Sequence, residues 1–248
     1  MIPTSFVKRP FHIAIGILVL SAAASFGETT APAKIVLVGD STVATGGGWG
    51  DAFAKLLKPG VECINLGHNG RSSKSYRAEG LWAKALEAKP AWIFIQFGHN
   101  DEPGKGPDRE TDPETTYREN MTRYVDEARA AGAQPVLVTS VSRRIFLAGK
   151  VVPDLDPKLP RVVPYVEVVR KIAAEKGVPC VDLHARSLEQ LEKIGAAAAR
   201  EYDKPSKDPA VPDTSHLSPK GAAATAKLVA AEARAKIPGF AALFTDTP

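Results

Sequence analysis

Five short apolar runs, rich in β-branched and aromatic side chains, constrain the fold of this chain more than any other feature. They are residues 34–38 (KIVLV), 62–66 (ECINL), 91–97 (AWIFIQF), 134–139 (QPVLVT) and 178–183 (VPCVDL). Runs that are hydrophobic almost throughout suit strands buried on both faces, as in a parallel sheet. Between them, residues 49–57, 76–88, 113–131, 164–176, 186–202 and 219–235 carry helix formers with apolar positions at helical spacing. Asp112-Pro113 and Ser218-Pro219 each place a capping side chain before a proline at the first helical position. Gly132 and Gly177 stand where helices should stop. Strand and helix in alternation predict an α/β sandwich around one parallel sheet.

The 248 residues are 44% hydrophobic and 24% charged, enough for one sizeable core without a second domain. The formal charge is +4 and the pI near 9.0. That excess is too small to imply nucleic acid, and no basic stripe interleaved with aromatics is present. The first 27 residues read as an export signal. Lys8 and Arg9 precede an apolar run over residues 11–24, and small residues follow at Ser25 and Gly27. The run is shorter than the ~20 residues a membrane span needs, which favours a cleaved leader over an anchor. The mature chain is then residues 28–248, at +2 once Lys8 and Arg9 are gone. Export to the periplasm or the medium follows from this reading, with no membrane attachment after cleavage.

The turns after the strands hold the chemistry. They read Gly39-Asp40-Ser41-Thr42, then Gly67-His68-Asn69-Gly70-Arg71-Ser72, then Gly98-His99-Asn100-Asp101. A loop before the last helix reads Asp213-Thr214-Ser215-His216. In a parallel sheet all four converge at its carboxyl end, where open α/β folds bind ligands. Acyl transfer needs a hydroxyl, a base, a group that orients the base, and donors for the oxyanion. Ser41 is placed for exposure just past a strand-ending glycine. Asp213, three residues before His216, can reach Nδ1 and leave Nε2 for Ser41. The N–H groups of Ser41 and Gly70 and the amide of Asn100 can serve as the oxyanion hole.

These blocks (GDST, NLGHNGRSSKSY, FGHND and DTSHLSPKGA) stand in an order that resembles the SGNH hydrolase superfamily, relatives of the GDSL esterases. Within it the wording is similar to the rhamnogalacturonan acetylesterases. The resemblance runs from Lys34 to about Ala235. It implies Ser41 as nucleophile, Gly70 and Asn100 in the oxyanion hole, His216 as base and Asp213 as its partner. It implies a three-layer α/β/α sandwich with strand order 2-1-3-4-5, and neither metal nor organic cofactor. The last block often reads Asp-Gly-Thr-His; here both functional positions survive. Ser72 matches a recurrent position and receives no catalytic role. The implied substrate is an acetylated pectic polysaccharide or its oligosaccharides. Acetylated xylan, other acetylated oligosaccharides and lipid esters remain alternatives within the superfamily. A catalytically silent carbohydrate-binding module is the alternative from another class, and the intact residue set argues against it. Gly46–Gly48 lacks the G-x-G-x-x-G pattern of a dinucleotide site.

Other residues have two readings each. His184, two residues after Asp182, rivals His216 as base but falls at a sheet edge, as a loop histidine. His99 would pack under the oxyanion loop, and Asp40 and Asp101 would brace their turns. Arg143 and Arg144 open the long irregular stretch 142–163, and either meet a substrate carboxylate by a bidentate fork or form a solvated cationic face. For Arg71, Lys74, Arg77 and Lys150 the solvated face is preferred. Trp49 and Phe146 could stack on sugar rings, though Trp49 also suits the core. With strand order 2-1-3-4-5, Cys63 and Cys180 lie on opposite edges, roughly 19 Å apart at ~4.8 Å per strand. Two free, buried thiols are therefore expected despite export.

Overall fold

A computed structural model of the chain describes Met1 and residues 34–152, 162–208 and 210–245. The chain divides into two compact units, Met1–Ala31 and Pro32–Pro248. Apart from Met1, the leader reading of residues 1–27 lies outside the described residues, as does the stretch 153–161 of the long insertion.

The second unit is built on β1 (Lys34–Gly39), β2 (Glu62–Asn65), β3 (Trp92–Gln96) and β4 (Gln134–Val138). A hairpin of β5 (Phe146–Leu147) and β6 (Lys150–Val151) precedes β7 (Cys180–Val181), the fifth strand of the main sheet. That sheet is parallel throughout, in order β2-β1-β3-β4-β7. It is the expected 2-1-3-4-5 arrangement, with the hairpin counted between its fourth and fifth members.

Side chains along β1 alternate between two cores, as a strand's period of two requires. Ile35 and Leu37 join Val43, Trp49 and Phe53 on one face. Val36 and Val38 join Phe97, Met121 and Tyr124 on the other. Helices α1 (Gly50–Ala54) and α7 (Pro219–Lys236) cover the first face. The second is covered by α2 (Ser73–Ala78), α3 (Leu81–Glu87), α4 (Arg118–Ala130) and α5 (Val163–Lys176). α6 (Leu183–Ala199) runs on from β7 and packs against α7. The layers are therefore helix, sheet, helix.

Several boundaries move for local reasons. The helix expected over 76–88 is two, because Gly80 takes a left-handed φ of 73° between α2 and α3. The helix expected from 186 starts at Leu183, where the Asp182 side chain accepts from Ala185 N at 3.3 Å and caps it. The loop expected to hold Asp213 and His216 is strand β9 (Asp213–Leu217), paired antiparallel with β8 (Asp203–Lys204). Both predicted proline-bearing caps form: Asp112 Oδ1 accepts from Glu114 N and Thr115 N at the head of a π-helical turn, Pro113–Tyr117, that leads into α4, and Ser218 Oγ accepts from Gly221 N at the head of α7. Cys63 and Cys180 are free thiols on opposite edge strands, half-buried rather than buried. Among the described residues no helix is long and apolar enough to cross a membrane.

Candidate active site

The turn after β1 carries Ser41, which is buried at 7% exposure rather than openly presented as expected, and it follows Gly39 because no side chain fits at that position. A Cβ on Gly39 would stand 2.5 Å from Val43 Cγ2 and 2.6 Å from Gln96 O. Asp40 then braces the turn by accepting from Thr42 N at 2.8 Å and Thr42 Oγ1 at 2.7 Å. Gln96 Nε2 donates to Thr42 Oγ1, and Trp49 Nε1 donates to Gln96 Oε1 at 2.9 Å. Trp49 is thus a buried core residue and no sugar platform. Phe146 packs against the small apolar cluster of Val151, Leu191 and Ala199. Burial pushes the Asp40 carboxyl up, but His99 and the Thr42 bonds outweigh it and hold it below the ordinary value. His99 Nδ1 stands 3.8 Å from Asp40 Oδ2, beneath the Ser41 turn.

His216 Nε2 lies 2.8 Å from Ser41 Oγ, and His216 Nδ1 lies 2.8 Å from Asp213 Oδ2. Asp213 serves its own backbone as well: Oδ1 accepts from Ser215 N at 3.2 Å and His216 N at 2.9 Å. Burial raises this carboxyl's pKa, but the His216 and Ser215 donors dominate and keep it lowered. It is therefore an anion that fixes the imidazole with Nδ1 as donor and Nε2 as acceptor toward Ser41. The strand carrying both residues is pinned from two sides. Leu217 N donates to Gly47 O at 2.8 Å, and Arg144 N donates to Thr214 O at 3.1 Å. Gly47, from the triplet read only as a failed nucleotide loop, packs beside His216: a Cβ there would be 3.5 Å from His216 Cβ.

Gly70 adopts φ +75°, a conformation an L side chain rarely takes. Asn100 is buried, and its Nδ2 donates to Arg71 O at 3.2 Å. One amide N–H is so used, and the other is left for a ligand. Ser72 caps α2 in a reciprocal box with Ser75, which accounts for that position without catalysis. Ser73 N and Oγ and Thr111 Oγ1 donate to the fully buried Asp101, which ties the turns after β2 and β3 together.

The rival base is elsewhere. His184 is buried in the first turn of α6, with Nδ1 3.1 Å from Ser140 O, and burial pushes its pKa down. Arg143 and Arg144 are not a solvated face; both are buried and engaged by internal carboxylates. Arg143 makes a bidentate pair with Glu102 at 2.9 and 2.7 Å, and its Nε reaches Ser215 Oγ at 3.3 Å. Arg144 pairs with Asp203 at 2.5 Å and donates through Nη2 to the carbonyls of Asp213 and His216. The sequence reading missed Glu102, Asp203 and this clamping role, because nothing local marks an acid whose partner lies 41 or 59 residues away. Among the described residues no cluster of three or more His, Cys, Asp or Glu is placed to hold a metal.

Residues 37–224 match the model of the GDSL-like lipase/acylhydrolase family. The chain belongs to that family. As a GDSL-like acylhydrolase it is a carboxylic ester hydrolase. Two curated relatives from Bacillus subtilis (strain 168) cover most of it. The probable rhamnogalacturonan acetylesterase YesY is 35% identical over 204 residues, 79% of this chain and 90% of the relative. The rhamnogalacturonan acetylesterase RhgT is 34% identical over 216 residues, 80% of this chain and 88% of the relative. In fold, this GDSL-like chain is similar to Axe2, an acetylxylan esterase from Geobacillus stearothermophilus. The TM-score is 0.61 at 20% identity, over 84% of this chain and 96% of that one.

Proposed function

We propose that this enzyme removes O-acetyl groups from rhamnogalacturonan or its oligosaccharides through an acyl-enzyme on Ser41. The observation that carries the reading is the unbroken relay from Ser41 Oγ through His216 to Asp213, with 2.8 Å at each step. The substrate is carried by two relatives of that activity at about a third identity over most of the chain. His216 Nε2 accepts the Ser41 proton as Oγ attacks the acetyl carbonyl carbon. The N–H groups of Ser41 and Gly70 and the Asn100 amide receive the oxyanion; each such donor is typically worth about 3 kcal/mol. His216 then gives its proton to the departing sugar oxygen. Water, deprotonated by the same nitrogen, attacks the acetyl-enzyme and releases acetate. Asp213 stays ionised throughout and orients the ring.

The same reading has residues 1–27 as a cleaved leader and residues 28–248 as one exported hydrolase domain. A pectic polymer outside the cell is a substrate that an exported esterase can meet.

Acetate release from acetylated rhamnogalacturonan and from acetylated xylan, with Ser41→Ala beside the wild type, tests the proposal. Release chiefly from rhamnogalacturonan and its loss in the variant are expected. Release chiefly from xylan would overturn the substrate, and undiminished release by Ser41→Ala would overturn the mechanism.

A further inference from the structure

The cations near the site divide sharply into those already engaged and those that are not. Arg71 pairs with Glu79, Arg77 with Glu127, Arg143 with Glu102 and Arg144 with Asp203, while Lys74 donates to Pro107 O. Lys55 and Lys227 wall a groove of about 390 Å³ that includes neither Ser41 nor His216 in its lining. Two others lie near the candidate site residues. Lys204 sits across the β8–β9 ladder from Asp213. Its Nζ is 3.5 Å from the point where a Cβ on Gly47 would lie, and that same point is 3.7 Å from His216 Cδ2. Arg109 Nη1 is 3.9 Å from where a Cβ on Gly70 would lie. Among the described residues neither side chain makes a salt bridge or a hydrogen bond. Lys204 is exposed and Arg109 half-buried.

Their places matter because of what passes each of them. The leaving oxygen of the ester takes its proton from His216, so the sugar that carries it departs beside Lys204. The acyl oxygen faces the Gly70 turn, beside Arg109. We infer that Lys204 and Arg109 are carboxylate-binding positions that read the acid groups of a uronate-bearing chain around the acetylated sugar. This rests on the proposed pectic substrate and adds which residues recognise its charge. A planar guanidinium suits a bidentate carboxylate at the half-buried position, and a flexible ammonium suits the open one. A neutral acetylated polymer offers neither of them a partner.

Calorimetric binding of unacetylated oligogalacturonate tests the inference without depending on turnover. The expected rise in Kd is about threefold for Lys204→Gln, about tenfold for Arg109→Gln, and close to their product for the pair. Binding weakens as salt is raised, since the exposed contact is screened. The carboxyl-reduced oligosaccharide binds wild type and double variant alike. Lys58→Gln, the same charge change beyond the amino end of β2, leaves Kd where it was. A double variant whose Kd stays within twofold of wild type overturns the inference, as does equal wild-type affinity for acidic and reduced oligosaccharides. Acetate release by the wild type separates the two failures. Release from rhamnogalacturonan with an unmoved Kd removes the cation pair and keeps the substrate. No release, with the expected Kd changes, removes rhamnogalacturonan and keeps an acidic acetylated chain as the ligand.

Discussion

Replacing Arg144 with methionine should damage both stability and turnover, although the residue touches no substrate. Its guanidinium is 2% exposed on the side-chain scale and meets Asp203, itself 8% exposed, at 2.5 Å. Nη2 also satisfies the carbonyls of Asp213 and His216, at 3.1 and 2.5 Å. Methionine retains the apolar stem and leaves those three acceptors short of a donor. Breaking a buried pair costs about 3–5 kcal/mol. Arg200 remains 3.1 Å from Asp203 and softens the loss on that carboxylate, so the lower end, about 3 kcal/mol, applies. With a urea slope of about 2–3 kcal/mol per molar, the unfolding midpoint should fall by about 1 M. In the protein that remains folded, kcat should drop about tenfold, because a misplacement of about 1 Å can cost more than that. Equilibrium urea unfolding followed by initial rates on an aryl acetate measures both. A cycle with Asp203→Asn isolates the pair from the carbonyl bonds. A midpoint within about 0.2 M of wild type, with kcat unchanged, would refute the claim that this arginine holds the base strand.

Three further outcomes follow from the same contacts. Asp213→Asn should lower kcat on an aryl acetate by about 10⁴ through the wrong imidazole tautomer, without moving the urea midpoint by more than about 0.5 M; a loss under tenfold would remove Asp213 from the relay. Burial pushes the Asp101 carboxyl up to about 7, against hydrogen bonds from Ser73 and Thr111, whereas the unfolded chain releases that proton near 3.8. The folded state then holds the extra proton between those values, so stability declines as pH rises from about 4 to about 7; Asp101→Asn should flatten that decline, and an unchanged slope would reject the assignment. Burial also pushes the thiols of Cys63 and Cys180 up, to about 12 and about 11. Both should resist iodoacetamide at about pH 8 until the protein is unfolded, and mass spectrometry should then find two alkylated sites and no disulfide.

What the sequence disclosed, and what it hid, divides along physical lines. The sheet was legible because its five runs are hydrophobic on both faces, a pattern with few other uses. The candidates Ser41, Gly70 and Asn100 could be named because each sits in a short block just after a strand of the parallel sheet, and Asp213 and His216 because they stand three residues apart in one block. The fates of Arg143 and Arg144 were not legible. A guanidinium in an irregular stretch looks the same whether it faces solvent or a buried acid, and Glu102 and Asp203 carry no local mark. The helix break at Gly80 was equally hidden, since Tyr76 to Ala88 keeps its helical spacing across a residue with φ of 73°. Strand β9 escaped because a five-residue polar segment gains its ladder from tertiary pairing with β8, and not from its own propensity.

The hidden contacts are the ones that tie the candidate residues to one another. Ser41, Gly70, Asn100 and His216 come from four separate segments, and a preorganised oxyanion hole is useful only if its donors and its base hold a fixed relation. Asp101 binds the turn after β3 to Ser73, at the start of α2, three residues beyond Gly70. Glu102, next in chain, grips Arg143 in the segment after β4, and Arg143 reaches Ser215 beside His216. Arg144, next again, holds the backbone of β9 on both sides of that serine. Asn100 is thus followed by two buried acids, one tied to Ser73 near Gly70 and one tied to Arg143, which reaches Ser215 on β9. The buried Arg143–Glu102 and Arg144–Asp203 pairs add little net stability over apolar packing. Their value here is geometric: the same bonds fix the distance between the Gly70 and Asn100 turns and the strand that carries His216, which apolar packing alone would leave free to slide.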